Sequence, residues 1–504
     1  MLLVAAQSFA QFNPQSKKIT AKFFPDPELD IHTPAFQKKG FTNYDDMMGY
    51  LNKLVAAHPS EVTLTFIGES QKNKKIPMLV LNRANQNPKL KVWFQGGLHG
   101  DEPAGTETML FLIDKLLNDA AYSYFLDKIT IAIVPMANID GYEKQDRFAA
   151  DGMDLNRDQV KLLAKESVFL KQAFSDYGAE VAVDFHEYRP FRRDFTNFGT
   201  HGMGGIYDAM FMYSGNLNLT QDLREYTKNT FIGNAKASLE ANNLKFHDYI
   251  TTHKVKGDIH FNQGTVDARS STTSYALTNC ISALIEIRGV ELGKTSFKRR
   301  INTTLLIATS FLKTVYEDAD RIKKIIRESS EASPESIVVL SEKKVEKQKI
   351  QAIDLKDNTE MTLDITVHNA LESKPVLERK RPFGYLILPE QKKLADKLTT
   401  LGLKLETLPT AKEIAVESYT ILTKKVRPEE EEGYNAQKVT SRVTSIKKEF
   451  PTGTYILYLD QKNAKIATEV LEPENENGFV KFEVLEPEVN SELPIYRYLI
   501  NQKI

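Results

Sequence analysis

Between residues 62 and 326, short β-branched or apolar runs alternate with segments of helical period, and this alternation restricts the possible folds more than any other feature. Residues 62–67, 78–81, 91–94, 129–134, 179–185 and 282–287 read as strands. Residues 43–58, 106–117, 160–174, 223–242 and 297–326 read as helices, the first capped by Asn43 and closed by Pro59. Pro77 falls at the start of the second strand, where a missing donor is tolerated. Interleaved strands and helices predict an α/β fold: a mixed, mostly parallel twisted sheet with helices on both faces. Sheets of this kind hold their sites beyond the strand ends.

At 504 residues the chain has room for about three domains. Residues 327–336 are polar, lack an apolar period and contain Pro334, so they read as a linker. Beyond them the character shifts to short β-rich runs at 337–340, 385–388 and 455–459, with one good helix at 391–400. The expected division is a main domain over 11–326 and a smaller, β-rich accessory domain over 337–504. The acidic run Glu429–Glu432 reads as a solvated loop. Residues 1–10 resemble the end of a signal peptide, with Ser8 and Ala10 at small-residue positions, and imply export. No later segment is long and apolar enough to span a membrane. A formal charge of -1 argues against a nucleic-acid partner bound by bulk electrostatics. Oligomeric state leaves no mark in the sequence.

His99 and Glu102 stand three positions apart directly after the apolar run Val92-Trp93-Phe94, a short-range chelate for zinc. A catalytic zinc site takes three protein ligands and keeps the fourth position for water. His186 also follows an apolar run, and is the candidate third ligand. The single cysteine, Cys280, excludes an intrachain disulfide and a thiolate-rich metal site, and its apolar setting makes it a core residue. Asp184 shares a strand face with His186 and could orient it or cap the sheet end. His201, His247, His253 and His260 are less well placed and read as surface or pocket residues. Glu286 lies mid-strand between Ile285 and Ile287, where an ionised carboxylate is expensive without a task or a partner. It could serve as a general base or pair with Arg288 on the same strand face.

Further along come Asn138-Ile139-Asp140-Gly141-Tyr142, Arg147, Asn156-Arg157, His186 and Glu286-Ile287-Arg288. With His99-x-x-Glu102 these resemble, in kind and order, the motifs of the zinc carboxypeptidase family over residues 40–320. The resemblance implies a carboxypeptidase-like fold, one Zn2+ per chain held by His99, Glu102 and His186, and Glu286 as the base acting on a metal-activated water. It implies Arg147, nine positions before Asn156, as oxyanion donor. Asn156 and Arg157 resemble the pair that grips a peptide's terminal carboxylate, which would make the enzyme a metallo-exopeptidase acting on peptides or peptide-like substrates with a free carboxylate.

Departures from the family pattern affect substrate grip. Asp101 stands between two of the ligands, where digestive-type members carry Arg. The family's mobile phenol should fall near Gly264-Thr265-Val266, where this chain has no Tyr. Tyr275 could substitute for it in substrate binding, or pack in the core. Arg189, Arg192, Arg193 and Arg269 could favour an acidic or doubly carboxylated substrate, as in cell-wall peptides. Competing readings are an amidohydrolase or deacylase of small acylated amino acids, and a pseudoenzyme that binds peptides or glycans. An intact ligand set with Glu286 speaks against the last.

Overall fold

The computed structural model describes residues 15–84, 89–196, 198, 202–426 and 436–504. The apolar stretch 1–10, His201 and the run Glu429–Glu432 lie outside the described residues. The strands, in chain order, are β1 (Val62–Glu69), β2 (Lys75–Leu81), β3 (Leu90–Gly96), β4 (Ile129–Val134), β5 (Val181–Tyr188), β6 (Met203–Gly205), β7 (Ala209–Met212), β8 (Phe246–Asp248), β9 (Ile250–Val255), β10 (Asp258–Gln263) and β11 (Ile281–Arg288). The C-terminal part adds β12 (Ser336–Asp354), β13 (Thr359–Lys380), β14 (Gly384–Ile387), β15 (Glu406–Thr407), β16 (Lys412–Val426), β17 (Gln437–Phe450), β18 (Tyr455–Tyr458) and β19 (Glu492–Tyr498).

One eight-stranded sheet runs β1-β2-β4-β3-β5-β11-β7-β8. The pairs β3/β4, β3/β5, β5/β11 and β7/β8 are parallel; β1/β2, β2/β4 and β11/β7 are antiparallel. Its middle strands β3, β4, β5 and β11 are buried almost throughout, which is why they are nearly continuous apolar runs rather than alternating ones. Trp93 meets Phe174 of the helix Lys165–Tyr177 edge-on at 5.6 Å. Its neighbour Phe94 points to the opposite face. The helices Pro103–Asn118 and Phe297–Glu317 pack on each other. Each fully buried large apolar side chain contributes about 1.5–3 kcal/mol relative to exposure. Pro77 lies within β2 rather than at its start. It is tolerated there because β4 pairs only with Leu79, Val80 and Leu81, and the β1 register slips just beyond Phe66, its partner.

The stretch 327–336, expected as a linker, is helical through Glu331. The expected helix over 297–326 is two, Phe297–Glu317 and Ala319–Glu331, broken at Asp318. The second continues because Ile322, Ile325, Ile326 and Ser329 recur at helical spacing on its buried face. The long ribbon β12–β13 then joins a five-stranded sheet, β6-β12-β13-β10-β9, whose other strands come from residues 203–263. A six-stranded antiparallel sheet, β15-β18-β14-β19-β16-β17, completes the β-rich C-terminal part. Buried polar contacts dock the two parts. The Glu469 carboxylate accepts from Asn216 (2.7 Å) and Asn218 (2.9 Å) on one oxygen, and from Asn475 (3.2 Å) and Asn477 (3.1 Å) on the other. Four amide donors compensate a carboxylate that would otherwise be costly to bury.

Candidate active site

β3 ends at Gly96, and Gly97 turns the chain in the left-handed region at φ 65°. Glu102 is the N-cap of the helix Pro103–Asn118, and Pro103 at its first position sacrifices no hydrogen bond. A Cβ on Gly105 would lie 2.6 Å from the Phe185 carbonyl oxygen, so glycine is what allows the helix start to sit against the end of β5. That close approach brings Glu102 to His186. His99 Nδ1 lies 2.8 Å from Glu102 Oε1, His186 Nδ1 lies 2.8 Å from Glu102 Oε2, and the two Nδ1 atoms are 3.0 Å apart. All three side chains are buried. The backbone N–H of Glu187 donates to Glu102 Oε2 at 3.1 Å, fixing that carboxylate.

The donor triangle suits a tetrahedral ion. Zinc at about 2.0–2.1 Å from each ligand atom requires donors roughly 3.3 Å apart, a few tenths of an ångström wider than the arrangement here. Each imidazole turns Nδ1 inward and Nε2 towards a carboxylate: His99 Nε2 is 3.0 Å from Asp154 Oδ1, and His186 Nε2 is 2.9 Å from Asp184 Oδ2. The second contact is off the line of a hydrogen bond and acts as an ion pair. Such outer carboxylates hold the ring and raise its basicity. Asp184 was legible as an orienting residue; Asp154 was not, although it stands two positions before Asn156. Burial alone would raise the Glu102 carboxyl, but His99 and His186 outweigh it and hold it well below the usual carboxylate range.

Arg147 and Glu286 face the same corner. Arg147 is clamped on Asp154 Oδ2 through Nε (3.2 Å) and Nη2 (2.9 Å), with Nη1 3.2 Å from His99 Nδ1. Glu286 on β11 is in register with His186 on β5. Burial, then the charge of Glu102, pushes its carboxyl up to about 7. The pairing with Arg288 that the strand face allowed does not form: Arg288 donates to the Gly205 carbonyl at 3.0 Å and lies over the Phe24 ring at 3.9 Å.

A cleft of about 430 Å³ opens over this corner, and His99, Arg147, Asn156, Arg157 and Glu286 all line it. Asn156 Oδ1 accepts from the Ser271 N–H at 2.8 Å, so its amide NH2 is the group left for an anionic ligand. Tyr275 is not in the cleft. It belongs to the helix Ser271–Ala276, buried on every residue, where its ring packs on Phe174 at 4.2 Å and under Lys171 at 4.6 Å. Tyr249 lines the cleft instead, a residue the sequence did not single out because it lies far upstream of the expected window. Burial first, and then Glu286, keeps its phenol protonated. The basic residues are tempered by neighbours. Arg189 pairs with Glu291 at 3.1 Å, Arg192 with Asp194 at 3.3 Å, and Arg269 stacks on Phe482 at 5.0 Å.

Residues 47–291 match the sequence profile of a family described as zinc carboxypeptidase. The chain is 28% identical to Carboxypeptidase 2 of Trichophyton rubrum over 476 residues, spanning 91% of this chain and 87% of that protein. It is 34% identical to Carboxypeptidase D of Homo sapiens over 169 residues, 29% of this chain and 12% of that protein. Among solved structures, a metallo-carboxypeptidase from Burkholderia cenocepacia is similar at 16% identity and a TM-score of 0.43, over 54% of this chain and 69% of that one.

Proposed function

We propose that this protein, whose residues 47–291 match the zinc carboxypeptidase profile, is a zinc metallo-exopeptidase that removes C-terminal residues from peptides, holding one catalytic Zn2+ on His99, Glu102 and His186. The observation that carries this reading is the convergence of three buried donor atoms with Glu286, Arg147 and Arg157 on one cleft. Bound there, the ion would polarise the scissile carbonyl and bring the pKa of a water to about 7.

The chain's own groups account for the rest. Glu286 takes the proton of the attacking water and delivers it to the departing amide nitrogen. Arg147, preorganised on Asp154, donates to the oxygen that becomes negative as the carbonyl turns tetrahedral. Arg157 and the amide of Asn156 grip the terminal carboxylate, so a chain end gains binding energy that an internal bond does not. Tyr249 is the phenol we place against the substrate in the role considered for Tyr275. Residues 337–504 we read as an accessory part that supports the cleft wall through β12–β13. An exported location belongs to the same reading, supported by the apolar stretch 1–10; among the described residues no helix is long and apolar enough to cross a membrane.

The test is hydrolysis of an N-blocked dipeptide by the zinc-loaded protein, beside the same dipeptide as its C-terminal amide. The free acid is expected to be cut and the amide scarcely at all. Arg157→Ala should lower kcat/KM on the acid by about 10- to 150-fold, the loss expected for a hydrogen bond to a charged group, and leave the residual rate on the amide unchanged. Equal rates on acid and amide, or internal cleavage of longer peptides, would sink the exopeptidase reading.

A further inference from the structure

Three histidines converge at a second place in the molecule, away from the triad. β9 and β10 form a hairpin whose two-residue turn, Lys256-Gly257, has both φ angles positive (51° and 96°). Such a turn fixes the register, setting His253 directly opposite His260 with both side chains on one face. On the other edge of β10, β13 pairs in parallel, with His368 opposite Asn262, so His368 reaches His260 diagonally. Its Nε2 lies 3.0 Å from His260 Nδ1. The ring of His253 is 5.9 Å from that of His260 and 4.8 Å from that of His368. One nitrogen from each ring falls within 4.8 Å of the others. All three are half-buried, so water can reach a fourth position. The Asn262 amide, 3.1 Å from His253 Nδ1, holds that ring from outside the cluster.

We infer that His253, His260 and His368 form a second metal site, taking a first-row transition-metal dication, zinc foremost, on three imidazoles with water completing the shell. The donor set decides the class of ion: no carboxylate or thiolate takes part, which disfavours calcium and magnesium and suits Zn2+, Cu2+ or Ni2+. The site also has a mechanical consequence. The pairing of β10 with β13 spans only Phe261, Asn262 and Gln263, and an ion shared by three strands would staple the C-terminal ribbon to the hairpin at this narrow junction. Thr251, Asn262 and Lys343 beside it line the cleft, so the staple would stiffen the cleft's outer wall.

The full-length protein, stripped with chelator and then loaded with zinc, tests this by elemental analysis after gel filtration and by competition with a chromophoric chelator. Wild type is expected to hold two ions per chain. A His260→Gln/His368→Gln variant should hold one, as should a His99→Ala/His186→Ala variant. In the latter, Cu2+ should give an electron-spin signal of three equivalent-type imidazole nitrogens, and zinc should still raise hydrogen-exchange protection across residues 359–380. A variant at His253 alone, His253→Asn, guards against misfolding of the double variant and should weaken the second ion by tenfold or more. One ion in wild type that disappears with the His99 and His186 pair, or two ions undiminished by the His260 and His368 pair, overturns the inference. Two ions bound without peptide hydrolysis would sink the proposed activity and leave this site standing.

Discussion

Replacing Glu286 by Gln should lower kcat on a blocked dipeptide by about 10²- to 10⁴-fold, the range for a general base, with KM little changed. Gln keeps the volume and one hydrogen-bonding oxygen of the side chain but cannot take a proton. Glu286 sits on β11, in register with His186, and lines the cleft without belonging to the donor triangle. The variant should therefore keep its zinc at the triad, which separates a lost base from a lost ion. Structural reasons for a carboxylate at this place are weak, since its strand neighbour Arg288 is turned to the Gly205 carbonyl and the Phe24 ring. Steady-state kinetics with elemental analysis of the same preparation decides the matter. A fall of less than tenfold, or a fall matched by loss of zinc, would remove Glu286 from the role.

What was legible in the sequence was local. His99 with Glu102, and His186, each punctuate the end of an apolar run, so one signal marks both the strand ends and the candidate ligands. Asp154 was overlooked because its partner, His99, is 55 positions away and only folding joins them. Tyr275 was considered for the cleft by its place before Glu286, whereas the burial of its whole helix takes it into the core, and the tyrosine lining the cleft beside Tyr188 is Tyr249. The ribbon β12–β13 was visible only at 337–340: Met361, Leu363, Ile365 and Val367 of β13 do alternate with polar residues as in a half-buried strand, but residues 341–349 of β12, its partner, are charged or polar on both faces except Val345 and hide the pairing. The helix through Glu331 was missed for a related reason: Ser329 carries the buried face after Ile326, and serine gives no apolar signal. The three-histidine cluster could not be read at all, since it exists only through the registers of β9, β10 and β13.

Lys171→Met should stabilise the protein and flatten its response to pH. Lys171 projects from the helix Lys165–Tyr177 into the core, where its Nζ donates to Ser274 Oγ at 2.8 Å and lies over the Tyr275 ring at 4.6 Å. Burial lowers its pKa from 10.5 to about 7, against a weaker upward pull from Cys280 and Asp184. In the unfolded chain the amine keeps its proton up to about 10.5. Between about pH 7 and 10.5 the unfolded state therefore binds one more proton than the folded state, and stability rises with pH by about 1.4 kcal/mol per unit. Below about 7 both states are protonated and the whole penalty, roughly 4–5 kcal/mol, is present. Met fills a similar volume without a charge to desolvate. After allowance for the lost hydrogen bond and cation–π contact, a gain of about 2–4 kcal/mol near pH 7 is expected, shrinking towards pH 10. Urea unfolding of both proteins between pH 7 and 9.5 reads the difference directly. Parallel curves with no gain at pH 7 would show that Lys171 is neutralised by its surroundings at no cost to the fold.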